Sequence, residues 1–341
     1  MANIFPAQAR VQPSFAEPDN IVTFAQASGA FALLENGEPR TKIGSEDLWV
    51  YINHIDLRTE SVASQFGSNF LPSATIAAEF VQTQTYLLRT RAIYDHHEIA
   101  AAARYNVGLP SAQELAMRQG IFQQLRSMLL YGYNSGNNEG VLNTQGATAV
   151  NLPADTYGNT TASTYDAGQM ALFWLKEIAN LRQRLYNTGA NAKNKIVIVG
   201  PQRIFFQFDA ADIVQVTSYQ RPGSGTATVG QVVRDVAAES GTVIEYVYDD
   251  TLIAQGAGGT DAVIITAPEL ELPSVPGINT DEFGKIKPSM TAVNLMYNDV
   301  GAPIKITTPT PDGAVVDLLE LRSSSGWCVR PQGLTIVSIG Y

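Results

Sequence analysis

Three histidines, one cysteine and a scatter of carboxylates are the side chains of this 341-residue chain with chemistry to offer. His96-His97-Glu98 is the only place where histidines cluster. A helix that holds zinc wants its imidazoles at i and i+4, as in H-E-x-x-H. Adjacent residues on a helix point about 100° apart, so His96 and His97 read as a surface helix start, and no metal ligand set is expected. Asp249 and Asp250, with Asp261 close behind, carry oxygens of the kind a hard cation takes, but an acidic pair at a strand end reads more simply as solvated. Gly256, Gly258 and Gly259 make a glycine-rich loop. It joins two strand-like runs, whereas a phosphate cradle follows a strand and opens a helix. Cys328 lies in a strand-like run and reads as a packed small hydrophobe. A lone cysteine excludes an intramolecular disulfide and fits a reducing compartment. The sequence has no G-x-S-x-G elbow, Walker loop or zinc spacing, and neither His54 nor the His96-His97 pair stands in a catalytic context. Paired carboxylates that only folding brings together stay open. No catalytic residue, cofactor or metal is therefore expected, and the Asn159-Thr160-Thr161 sequon reads as chance.

The element around which the chain is arranged is the run from Ser111 to Asn143. Ser111 and Glu114 have capping-box spacing. Leu115, Phe122, Leu125 and Leu129 recur at seven, three and four, which predicts a helix over 111–131 with those residues on its buried face. Ile121 and Met128 widen the stripe, Gly120 weakens it slightly, and Gly132 is placed to stop it. Upstream, Lys42–Leu57 and Thr75–Tyr94 read as strands joined by a polar loop, and Asp95–Asn106 as a short Asp-capped helix. Downstream, Asp166–Asn187 is a helix with Met170, Phe173, Trp174, Ile178, Leu181 and Leu185 on one face. Lys195–Gly200 is a strand buried on both sides. Ile204–Phe208 and Ile213–Val216 are short apolar pieces, Val229–Glu239 a helix, and Thr242–Tyr248 and Ala262–Thr266 strands. Residues 289–341 read as mostly β, with Asp312-Gly313 as a turn.

Charged residues make up only 16% of the chain, below the roughly 25% of an ordinary globular protein, while 45% are hydrophobic. Much neutral surface suits extensive protein–protein contact; the plainer alternative is a soluble protein with few charges. The net charge of −10 and the lack of Lys/Arg clusters argue against gripping nucleic acid through its phosphates. No apolar run approaches 18 residues, so no membrane contact is expected. The opening MANIFPAQARVQP lacks the apolar core of a signal peptide, so cytosolic synthesis is expected.

The long amphipathic helix, its Tyr131-Gly132 stop, the polar loop NSGNNEG and the segment Gly140-Val141-Leu142-Asn143 resemble the major capsid protein of tailed bacteriophages and its cellular relative, the encapsulin shell protein. The resemblance covers roughly residues 40–341. It implies an α+β Hong Kong 97-like capsid fold with five parts. These are an N-terminal arm (1–40), an extended β-hairpin loop (41–92), and a first peripheral part (93–143) with the spine helix 111–131. An axial domain (144–268) and a second peripheral part (269–341) follow. The implied function is a coat protein whose hexamers and pentamers close an icosahedral shell around double-stranded DNA, without sequence-specific binding, in the virion after assembly in the bacterial cytoplasm. Partners would be other copies of the chain, with portal, scaffold or decoration proteins. Phe5 and Phe15 on the arm, and Phe66, Phe70 and Leu71 near the hairpin tip, are the intersubunit contacts the resemblance suggests. The arm and hairpin could instead fold back on their own body, and the C-terminal strands could form a separate β domain. An encapsulin-type compartment shell, and a soluble enzyme of unknown chemistry, are the alternative functions. Some family members cross-link the loop through a lysine; this chain has none from Glu60 to Thr90, so no such bond is expected.

Overall fold

The computed structural model describes residues 30–33, 42–58, 75–104, 107–134, 136, 139–185, 194–210, 212–213, 227–268 and 294–341, with the backbone alone for 52–58, 75–81, 194, 212–213 and 227. The hairpin read from the sequence forms β1 (Trp49–Arg58) and β2 (Thr75–Asp95), antiparallel over ten residue pairs. At 21 residues β2 is far longer than the usual five or six. Its first half pairs with β1 and its second half with a late strand. α1 (His96–Ala103) follows directly, held by a reciprocal capping box between Asp95 and Glu98.

The predicted long helix is α2 (Leu109–Tyr131). It starts two residues earlier than expected, because Pro110 fits the first turn, where its missing N–H costs nothing. Ser111 is thus inside the helix, and the predicted Ser111–Glu114 box does not form; Gly108 is the N-cap. The buried stripe is also rotated from the predicted one. Met117, Ile121, Leu125, Met128 and Leu129 are buried, whereas Leu115 and Phe122 are 44% and 46% exposed. Spacing of seven, three and four fits two adjacent stripes on a helix, and the one that meets Leu88, Leu319 and Leu321 of the sheet is the one turned inward.

The 3-10 turn Val141–Asn143 leads to β3 (Thr148–Asn151), then α3 (Ala167–Arg184), capped by Asp166. Five of the six predicted apolar residues lie on α3 and are buried, and the sixth, Leu185, is its half-buried C-cap. β4 (Asn194–Gly200) is the expected two-sided strand: Val197 and Val199 point into one core, Ile196 and Ile198 into another. Residues 204–208, read as an apolar piece, lie in a helix, α4 (Gln202–Ala210), which buries Ile204, Phe205 and Phe208. Short strands β5 (Asp212–Ile213) and β6 (Ala227–Thr228) pair before α5 (Val229–Glu239). β7 (Thr242–Tyr248) and β8 (Asp261–Thr266) are joined by 3-10 turns at Asp250–Leu252 and Ala257–Gly259. The chain ends with β9 (Leu295–Met296), β10 (Ile304–Pro309), β11 (Ala314–Ser324), β12 (Trp327–Cys328) and β13 (Leu334–Ile339). The predicted Asp312-Gly313 turn joins β10 to β11, Gly313 N donating to Thr310 O at 3.1 Å.

Two sheets organise the α+β body. An antiparallel sheet runs β1-β2-β11-β10, and a mixed one runs β3-β13-β8-β4-β7. α2 packs on the first sheet through Leu88, Leu319 and Leu321, and its core continues onto one face of the second through Val197, Val199, Ile264 and Leu334. α3, α4 and α5 supply the residues that cover the opposite face, around Trp174, Phe205 and Val233. Two expectations fail here. The grouping of 334–339 with the preceding strands does not hold: β13 inserts between β3 and β8 in the mixed sheet. Five of its six residues are buried, so it needs apolar layers on both faces, and only that sheet provides them. The arm 1–40 is also not wholly detachable. The 3-10 turn Ala30–Leu33 buries Ala30 and Leu33 completely in the α2 core, and Phe31 stacks on Phe122 at 5.0 Å between ring centres.

Candidate functional site: the two clamps on the long helix and the faces around it

The segment that carried the resemblance is a fastening at the end of α2. Gly132 and Gly140 have φ of +70° and +86°, a region open to glycine and costly for other residues. They also touch. A Cβ on Gly140 would lie 2.3 Å from Gly132 N and 2.4 Å from the Tyr131 carbonyl carbon, and one on Gly132 would lie 2.3 Å from Glu139 O. Asn143 closes the loop, its Nδ2 donating to Tyr131 O at 2.6 Å and Glu139 O at 3.2 Å. Val141 is fully buried. Glu139, which nothing in the sequence singles out, is the centre of the fastening and only 2% exposed. Its carboxylate accepts from Tyr86 Oη at 2.7 and 2.9 Å, Asn134 N at 2.9 Å and Ser325 Oγ at 3.3 Å. Burial, then the hydrogen bond to Glu139, pushes the Tyr86 phenol well above its ordinary range, so it stays a donor. The carboxylate thereby ties β2 and the turn after β11 to the helix end.

A second clamp holds the first turns of α2. Asp317 of β11 is 1% exposed and accepts from Thr307 Oγ1 at 2.6 Å and Tyr94 Oη at 2.9 Å. Lys305 Nζ lies 3.1 Å from Asp317 Oδ2 and 3.0 Å from Glu114 Oε2, and Glu114 also takes Arg118 at 2.8 Å. Burial alone would raise the Asp317 carboxyl; hydrogen bonds from Thr307, Tyr94 and Lys305 outweigh it and hold the group below the usual carboxylate range. The hydrogen bonds to Glu114 and Asp317 raise Lys305.

Asp249 and Asp261 are buried, against the solvated reading of the acidic residues near 250, and Asp250 is half-buried. Asp261 is 1% exposed and takes a two-point contact from Arg203, at 2.6 and 2.5 Å, plus Ala254 N at 3.0 Å. Asp249 is buried and caps the 3-10 turn through Thr251 N and Oγ1, while Asp250 accepts from Gln202 N at 2.8 Å. Each carboxylate fastens a loop to the end of the mixed sheet, and Arg203 in turn lies 4.7 Å over the Tyr341 ring. The glycine-rich loop joins β7 to β8, as read. Cys328 is half-buried, its Sγ 3.4 Å from Asn294 Oδ1, and burial pushes its thiol up to about 12, so it is not a thiolate near neutrality.

His96 and His97 behave differently from expectation. The two rings face one another with centres 3.9 Å apart, and His96 Nδ1 lies 2.5 Å from Asp95 Oδ1. The 100° step fixes where Cβ atoms point. It does not fix ring positions, which two further rotations bring together.

The remaining surface is rich in apolar side chains. Strand register puts Leu87, Arg89, Arg91 and Ile93 of β2 beside Arg322, Glu320, Leu318 and Val316 of β11, on the sheet face turned away from α2. β10 continues that face with Ile304 and Ile306 and is exposed along its whole length. A groove of about 220 Å³ there is lined by Ser45, Leu87, Arg89, Val300, Ile304, Glu320 and Arg322. That is below the roughly 300 Å³ at which small-molecule sites begin. The mixed sheet and its helices expose Leu172, Phe206, Val243 and Tyr248. Phe5, Phe15, Phe66, Phe70 and Leu71 lie outside the described residues. Among the described residues no helix is long and apolar enough to cross a membrane.

A spine helix clamped at both ends to a long-stranded antiparallel sheet, with a mixed sheet at its far end, is the Hong Kong 97-like α+β capsid fold. Solved structures agree from end to end. The capsid of Myoviridae phage XM1 superposes with a TM-score of 0.66 at 12% identity, covering 96% of this chain and 97% of that one. The capsid of the cyanophage P-SCSP1u gives 0.57 at 10% identity, covering 96% and 93%. The capsid of a native GTA particle gives 0.56 at 9% identity, covering 97% and 96%. No protein-family model and no curated protein matches the sequence.

Proposed function

We propose that this chain is the major capsid protein of a tailed bacteriophage, a structural subunit that assembles as hexamers and pentamers into an icosahedral shell around double-stranded DNA. The observation that carries the reading is the likeness to phage capsid chains over nearly the full length of both partners. An inserted or borrowed domain would match over part of its length only. Three features of the chain agree with it. Charged residues are few, apolar side chains are left exposed on both sheets, and β2 is 21 residues long, its first half paired with β1 and its second with β11. The net charge of −10 suits a wall that encloses DNA and does not grip it. Its role is assembly, without catalysis, and its place is the virion.

In this reading α2 and the antiparallel sheet form the peripheral body, and the mixed sheet with α3, α4 and α5 the axial body. The arm, from residue 29 back, and the hairpin tip with Phe66, Phe70 and Leu71 reach neighbouring copies. Portal, scaffold and decoration proteins are the further partners such a shell would take. The test is to express the chain in bacteria and examine concentrated material by negative-stain microscopy and light scattering. Closed, uniform shells are expected. A species of single-chain mass at every concentration would overturn the proposal. Nuclease-protected DNA in particles from the natural source separates a genome shell from a protein-filled compartment.

A further inference from the structure

The point where β2 turns into α1 brings three donors of different kinds together. One ligand atom each from Asp95, His96 and His97 lies within 4.8 Å of the other two. This is the only such group of His, Cys, Asp or Glu among the described residues. The scaffold beneath it is fixed. Asp95 is the last residue of β2, in register with Ala314 of β11, and its carboxylate caps α1 in the reciprocal box with Glu98. Both imidazoles are open to solvent, the His96 side chain 69% exposed. Neither ring is committed to the core, and the open side leaves room for water.

We propose that Asp95, His96 and His97 form a surface site for one divalent transition-metal ion of the zinc or nickel type, held through one carboxylate oxygen and two imidazole nitrogens, with the remaining positions open to water. Two nitrogens and one oxygen suit borderline metals; magnesium and calcium select all-oxygen sets. Metal bonds of about 2.0–2.2 Å set neighbouring donors roughly 3.4 Å apart, so His96 Nδ1 and Asp95 Oδ1, now 2.5 Å apart, must part to admit the ion while donors up to 4.8 Å apart close in. Rotation of two exposed imidazoles supplies that movement without disturbing the backbone. The helix start opposes a cation through its dipole, and the Asp95 and Glu98 carboxylates offset this. The proposal is independent of the coat-protein reading, because the site lies within one chain.

The test is calorimetric titration of the tag-free, full-length protein with zinc chloride or nickel chloride, in whatever assembled form it takes. One saturable ion per chain is expected, with no response to magnesium. His96→Ala and His97→Ala should each weaken binding at least about tenfold, as loss of one arm of a chelate does, while Cys328→Ser and His54→Ala leave it unchanged. The metal-free melting curves of the variants should match that of the parent; His96→Gln and His97→Gln repeat the test should either Ala variant melt early. Absence of saturable binding, single variants that keep parental affinity, or loss of binding in Cys328→Ser or His54→Ala would each overturn the site.

Discussion

Glycines 120 and 140 are the same residue type with opposite expected responses to one methyl group. Gly120 sits on the exposed side of α2, and a Cβ there meets nothing within 4 Å. Gly120→Ala should stabilise the protein by about 0.5–1 kcal/mol, through helix propensity and a less free unfolded chain. Gly140→Ala meets a left-handed backbone and the helix end together, and should cost about 3 kcal/mol or more. Urea denaturation of both variants checks the pair, and similar midpoints would contradict the fastening described for the helix end. Asp317 carries a prediction in pH. Its folded value is depressed, so its stabilisation is complete above the unfolded carboxylate value near 3.8 and is lost as pH falls through the lower folded one. Melting temperature should therefore drop on acidification below about pH 5. Asp317→Asn should lower the melting temperature at neutral pH and shrink that acid dependence. An acid limb as steep as the parent's would mean other carboxylates set it.

At the level of elements, α2 is both the best and the worst of what the sequence makes legible. Its existence, length and stop follow from the apolar period and Gly132. Its buried face does not, because two neighbouring stripes both satisfy the period and only the partners decide between them. Leu125→Ala should cost about 2–5 kcal/mol, and Leu115→Ala about 0.5 kcal/mol or less, by the same urea assay; the reverse order would restore the face read from spacing. α3 is legible throughout, since its six apolar residues allow one face only. α4 is not, because Ile204-Phe205-Phe206 suits a strand as well as a helix until the core claims positions 204, 205 and 208. Glu139, Asp249 and Asp261 are invisible as buried charges in a sequence. Glu139 and Asp261 are satisfied by partners distant in the chain, as Arg203 serves Asp261 across 58 residues, and Asp249 by the turn it caps. The adjoining imidazoles fail for a related reason: residue spacing limits backbone directions, and side-chain rotations act after that.

For the whole molecule, the boundary between detachable and structural chain is the matter the fold changes most. The full burial of Ala30 and Leu33 against α2 and β4 puts residues 30–33 on the structural side. Removing residues 1–28 should leave the melting temperature close to the parent's and prevent closed shells. Removing 1–40 should also lower the melting temperature by several degrees, because two filled core positions empty. Calorimetry and microscopy on both truncations separate the effects, and equal melting of the two would place the boundary back at 40. The overall architecture is legible only through the glycine-bearing segment at the end of α2. No local pattern reveals that 334–339 crosses to the mixed sheet, since a run of apolar β-formers fits either one.

That crossing has a consequence for how the protein is made. Among the described residues β3 has no partner in its sheet other than β13, so almost two hundred residues of chain separate the first of these strands from the one that secures it. A chain still being translated therefore lacks a finished mixed sheet. Polypeptides broken off ahead of Leu334 lack an interior strand of that sheet, the one between β3 and β8.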